Sequence, residues 1–211
     1  MTSPSDPFAL AHWRRTVAAL YAQVRERTED RRAQCESFRR AKDDLFRSHP
    51  QSPIAEHLRA DWPGVRWFPY DPAGRVDAAI EPASSRETFD IALASDGVLH
   101  CTRVGLAHFT MAGSEASLAM YWLEGYGGGL WLPFADATTG VTTYGGGRYL
   151  YDTIKGADLG VRATSIVLDF NYAYNPSCAY DDRWSCPLTP PENRLPFAVP
   201  AGERWASVAH R

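Results

Sequence analysis

The chain has 211 residues, of which 45% are hydrophobic and 22% charged, a globular composition that excludes disordered, collagenous and coiled-coil chains. Its formal net charge of −3 excludes a global basic field that would draw nucleic acid. No apolar run approaches the ~20 residues of a membrane span.

MTSPSDPFALAHWRR lacks an apolar stretch of signal-peptide length, and its basic residues follow the apolar ones. A cytoplasmic location is therefore expected. The four cysteines, Cys35, Cys101, Cys178 and Cys186, are even in number, but in a reducing compartment parity is no evidence for disulfides.

Residues 1–48 differ from the rest. They hold ten Lys/Arg against seven Asp/Glu and none of the 16 glycines. They read as an N-terminal helical arm, and residues 49–211 as a β-rich body ending in a polar loop segment. Asp6 suits a helix cap and Pro7 the first helical position. Leu10, Trp13, Val17, Leu20, Tyr21 and Val24 then form an apolar stripe at helical spacing. This stripe is expected to pack on the body or on a second copy of the chain, as a homodimer through the N-terminal helix. A second helical stretch carries Cys35, Phe38, Leu45 and Phe46 and ends before His49-Pro50. For Arg31, Arg32, Arg39 and Arg40, a solvated face with salt-bridged neighbours is a cheaper account than an anionic partner.

Residues 50–64 read as a proline-rich loop. Strand-length segments follow: RVDAAIEP, RETFDIALAS, GVLHCTRVGLAHFTMAG, ASLAMYWLEG, GLWLPFAD and TSIVLDFNYAY. Asp96-Gly97 marks a hairpin turn. No regular alternation of strand and helix appears, which argues against a doubly wound fold. The fold class is mainly β (α+β): an antiparallel barrel or sandwich-like body with a helical arm.

The clusters Gly127–Gly129 and Gly145–Gly147 lack the lysine and the helix start of a phosphate loop, so turns and close strand approach explain them better. Arg148 follows the second cluster. Its guanidinium suits a carboxylate, either a ligand's or an internal one such as Asp136, with Tyr144 and Tyr149 nearby. His100 and His108 share strand parity unless Gly105 breaks the register, and no carboxylate completes a metal triad with them.

The densest polar stretch is LDFNYAYNPSCAYDDRWSCPLTPPENRLP. Long irregular segments of this kind are functional or unusually well packed. It supplies Asn171, Asn175 and Asn193 as ligand donors. Cys178 and Cys186, eight apart with no histidine near them, make a poor zinc site. A disulfide, inert burial, or a thiol nucleophile served by His49, His57, His100 or His108 all remain open. Glu192, stiffened by two preceding prolines, suits a general acid or base, or a partner for Arg148.

WFPYDPAGRVDAAIEP, LPFADATTGVTTYGGGRYLYDT and the segment from Asp169 to Asn193 resemble the bacterial domain-of-unknown-function family 1684. The resemblance covers roughly residues 40–204 in a short form of the family. It implies that these polar residues belong to a motif, and it implies no activity. The expected function is a small-molecule site at the barrel mouth, with hydrolysis or group transfer on an anionic substrate. Glu192 and Cys178 would be its catalytic residues. Arg148, Tyr149, Asn171, Asn175, Tyr144 and Asn193 would bind the ligand, with no metal or cofactor. A non-catalytic binding protein and a dimerising interaction protein are the alternatives.

Overall fold

The computed structural model describes residues 6–26, 28–93 and 97–205. Two helices, α1 (Pro7–Arg25) and α2 (Arg31–Ser48), precede six strands. These are β1 (Arg75–Ala92), β2 (Val98–Met111), β3 (Ser114–Leu123), β4 (Gly129–Phe134), β5 (Arg148–Asp152) and β6 (Ser165–Asp169). All paired strands are antiparallel, in the order β5-β4-β3-β2-β1-β6, and the sheet curls into a half-barrel.

The helix starts follow capping chemistry. The Asp6 side chain accepts the Phe8 N–H at 2.9 Å, with Pro7 in the first turn, and Asp30 accepts the Ala33 N–H at 2.9 Å. Alternation on β3 is equally legible. Leu118 and Met120 face the core beneath the helices, while Ala119 and Tyr121 face a second cluster with Trp131 and Tyr149.

Several expectations change. The two segments around Pro82 form one strand, β1, with a register shift between Pro82 and Glu87. Proline cannot donate to the ladder, so the strand bends there without ending. A second shift, at Arg103/Gly105, breaks β2. His100 and His108 are both exposed, pairing with Asp90 and Glu81, so neither faces an internal cavity. The last expected strand stops at Asp169, whose carboxylate accepts the Asn171 N–H at 3.1 Å and starts a 3-10 turn. β5 was not foreseen. Its five residues are all buried, which erases the polar–apolar alternation. Asp96, of the expected Asp96-Gly97 turn, lies outside the described residues.

The arm is integral to the core. Tyr21, Val24, Cys35 and Phe38 join the cluster that contains Leu132, Leu150, Ile166 and Phe170. Phe38 stacks edge-on to Tyr21 and to Tyr172 at 5.1 and 5.0 Å. The approach of α1 depends on Gly156, at φ +91°, where a Cβ would stand 2.8 Å from Ala18 N and 3.0 Å from Arg14 O. These are backbone atoms that cannot step aside. Gly156→Ala is therefore expected to destabilise the fold by about 1–3 kcal/mol in urea denaturation and to speed tryptic cleavage within α1.

A histidine pair closes the far end of the arm. The buried His49 ring accepts the Gln51 N–H at Nδ1 (3.0 Å), so its proton sits on Nε2, which faces His12 Nδ1 at 3.0 Å. Burial first, then His12, lowers the His49 pKa below its ordinary 6.5. The unfolded chain then binds this proton more tightly than the folded one. Stability contributed here is complete above that value and falls as pH drops through it. Thermal melts between about pH 7.5 and 5.5 should show this loss, and His49→Gln should reduce it.

Candidate functional site

Four of the eight residues proposed from the sequence are sealed by protein partners. Arg148, 1% exposed, pairs with Asp136 at 2.8 Å. Its guanidinium also donates to the carbonyls of Val199 (3.0 Å), Glu203 (3.2 Å) and Ala201. The internal arginine–aspartate pair is thus the arrangement found, and the terminal nitrogens face no open space. Tyr149 pairs through its backbone with Tyr174, and its hydroxyl donates to the Pro187 carbonyl. Asn171 accepts the Asp71 N–H at 2.9 Å and donates to Asp71 O and Asp169 Oδ1. Asn193 bridges two strands, accepting from Ala119 N at 2.7 Å and donating to the carbonyls of Ala119 and Pro133. Buried amides satisfied this completely act as fasteners.

Glu192 stands apart. It is exposed, and it accepts the Tyr121 hydroxyl at 2.5 Å in a groove bordered by Phe89, Cys101, Leu188 and Thr189. The cysteine of this groove is buried, and burial raises its pKa to about 11, so the groove holds no activated thiol beside the carboxylate.

The remaining three lie at the opposite end of the polar loop. Tyr144 OH is 3.6 Å from Cys178 Sγ, and Asn175 lines a cavity of about 80 Å³ between α1, α2 and the loop. Trp13, Val17, Leu20, Leu45 and Phe46 supply its apolar wall, and Lys42, Lys155, Tyr174 and Tyr180 its polar rim. Asn175 is 4% exposed. Its Nδ2 donates to Arg204 O at 3.2 Å, while its Oδ1 has no hydrogen-bond partner.

The group that organises this end is the Glu203 carboxylate, fully buried. Oε1 meets Lys42 Nζ at 2.6 Å. Oε2 accepts the Asn175 N–H at 2.7 Å and the Tyr180 hydroxyl at 2.6 Å. Burial and then this carboxylate push the Tyr180 pKa well up, so Tyr180 remains a donor. The Lys42 ammonium also lies over the rings of Tyr174 (4.7 Å), Phe46 (5.2 Å) and Trp67 (5.8 Å).

Lys42, Tyr180 and Glu203 were missed in the sequence. Glu203 has no local motif. Lys42 had one available signal: with Cys35, Phe38, Leu45 and Phe46 it shares the buried face of α2, where an unpaired lysine is costly.

The described residues contain no group of three or more His, Cys, Asp or Glu arranged to hold a metal, and no helix long and apolar enough to cross a membrane.

These features define a curled antiparallel half-barrel, capped by a helix pair and locked by buried charges. The chain belongs to the family described as "Protein of unknown function (DUF1684)", whose model matches residues 60–204. It is also similar to the solution NMR structure of an uncharacterised protein of Haloarcula marismortui, at 36% identity and a TM-score of 0.63. That likeness covers 86% of this chain and 97% of the other. No curated protein matches the chain.

Removing one partner of the buried pair strands the other's charge. Lys42→Met is expected to cost about 3–5 kcal/mol in urea denaturation. The double variant Lys42→Met/Glu203→Gln should lose markedly less than the sum of the single changes.

Proposed function

We propose that the protein is a non-catalytic binder of a small apolar molecule. The ligand would sit in the cavity between the helix pair and residues 174–180. The single observation behind this reading is the cavity itself, about 80 Å³ walled by the apolar side chains of Trp13, Val17, Leu20, Leu45 and Phe46. The size of the cavity limits the occupant. Drug-sized ligands need about 300–1,000 Å³, and even an engineered benzene cavity has about 150 Å³. At about 80 Å³ the cavity suits a short chain or the edge of one ring.

The choice of binder over enzyme rests on what lines the cavity. Lys42 is neutralised by Glu203, and neither cysteine of the loop is among the lining residues. The expected anionic substrate loses its support, because Arg148 is occupied by Asp136 and three carbonyls.

Protein-observed NMR with short-chain alcohols and alkyl ethers tests the reading. Shifts should concentrate on Val17, Leu20, Leu45 and Asn175. Val17→Trp, which fills the cavity, should abolish the shifts. Shifts scattered over the surface, or unchanged by Val17→Trp, would refute the proposal.

A further inference from the structure

Two of the four cysteines are packed away. Cys35 and Cys101 are 0% exposed, and burial first raises the pKa of each to about 11. The other two are half-exposed and adjacent. The Cys178 N–H donates to Cys186 Sγ at 3.3 Å, so a backbone amide points at the second sulfur. Both sulfurs are held in place from outside the pair. Cys178 sits in the turn Ser177–Ala179 with the Tyr144 hydroxyl against its Sγ. Cys186 precedes Pro187, whose carbonyl takes the Tyr149 hydroxyl, and Thr189 N bonds Gly146 O at 3.1 Å. Gly147, at φ +87°, leaves room for this strap, since a Cβ there would run into the Thr189 side chain and stand 2.8 Å from Phe134 O.

We propose that Cys186 and Cys178 form a peroxide-sensitive dithiol, in which Cys186 is the attacking sulfur and Cys178 the resolving one.

The charge distribution agrees with these roles. Hydrogen bonding from Cys178 lowers the Cys186 pKa most, helped by the backbone amides of Cys178 and Ser177 and by Lys155. The same contact raises that of Cys178. The geometry carries the same sense, because the Cys178 N–H points at Cys186 Sγ and favours negative charge there, whereas Cys178 Sγ has only the longer Tyr144 hydroxyl contact. With a hydroperoxide, the Cys186 thiolate attacks one peroxide oxygen and the O–O bond breaks. The alkoxide or hydroxide leaves and takes a proton from solvent, and Cys186 becomes a sulfenic acid. The Cys178 sulfur then attacks Cys186 Sγ and the S–O bond breaks. The hydroxide departs with the Cys178 proton as water, and a disulfide remains. The net change is two thiols and a hydroperoxide giving a disulfide, an alcohol or water, and one further water. This proposal is independent of whether the neighbouring cavity holds a ligand.

The sequence makes the test direct. Trypsin cleaves after Arg162, Arg183 and Arg194, so Cys178 and Cys186 fall on separate peptides, 163–183 and 184–194. The reduced full-length protein is treated with hydrogen peroxide, its remaining thiols are blocked, and it is digested without reductant. The expected result is a linked pair of these peptides, lighter by two hydrogens and separated by dithiothreitol, with Cys35 and Cys101 still blockable only after unfolding. Without peroxide, iodoacetamide should label Cys186 about tenfold faster than Cys178. Cys178→Ser should stop at a sulfenic acid on Cys186 that dimedone traps. Two results would overturn the proposal. One is peptides 163–183 and 184–194 remaining unlinked in the wild-type protein. The other is Cys178 oxidising as fast in Cys186→Ser as in the wild type.

Discussion

The Lys42–Glu203 contact is the interaction on which the rest of this architecture depends. It joins the second helix to a strap at the far end of the chain, and both charges are out of water. A buried pair of this kind contributes little net stability, but it penalises every arrangement that separates its members. The strap that carries Glu203 lies outside the six-stranded sheet and makes a short antiparallel bridge to residues 66–68, with Glu203 N also bonding Ala173 O. Cations add to this hold on both sides. Lys42 takes the side chain of Glu203, and Arg148 takes the carbonyls of Val199, Ala201 and Glu203. Arg148 is fixed in turn by Asp136, whose other oxygen also accepts from Thr138.

This division explains why the polar motif residues behave so differently. Residues on the sheet side of the loop, such as Asn171 and Asn193, have their side-chain amides bonded within the protein, mostly to backbone, and serve as cross-links. Residues on the helix side, from Asn175 to Cys186, surround a cavity and a pair of half-exposed sulfurs. The same stretch of chain is thus architectural at its ends and chemically open in the middle.

What the sequence made legible follows from the range of the forces involved. The helix starts at Asp6 and Asp30 and the alternation of β3 are local, and local chemistry sets them. The curled antiparallel sheet followed from several such segments together. β5 was hidden because both of its faces are buried. Pro82 suggested an ending where the strand only bends. The pairing of Arg148 with Asp136 lies within twelve residues and was among the readings weighed. Lys42 and Glu203 are separated by nearly the whole chain, so no spacing rule connects them. The sulfur roles also needed three dimensions. Only the folded chain shows that the Cys178 backbone amide points at Cys186 Sγ, so that the proposal turns to Cys186 although Cys178 was singled out first.

The family match begins at residue 60, whereas Lys42, Phe38 and Tyr21 lie before it. The Haloarcula marismortui likeness covers 86% of the chain, more than residues 60–211 can supply, so it reaches into the helix pair. The matched segment therefore leaves out side chains that pack into its own core, among them Tyr21 and Phe38. Expressed alone, it would present Tyr172 and the cavity wall to solvent and leave Glu203 as a solitary anion in an apolar setting. The boundary drawn by sequence similarity cuts through an ion pair and through a core cluster that both helices help to fill.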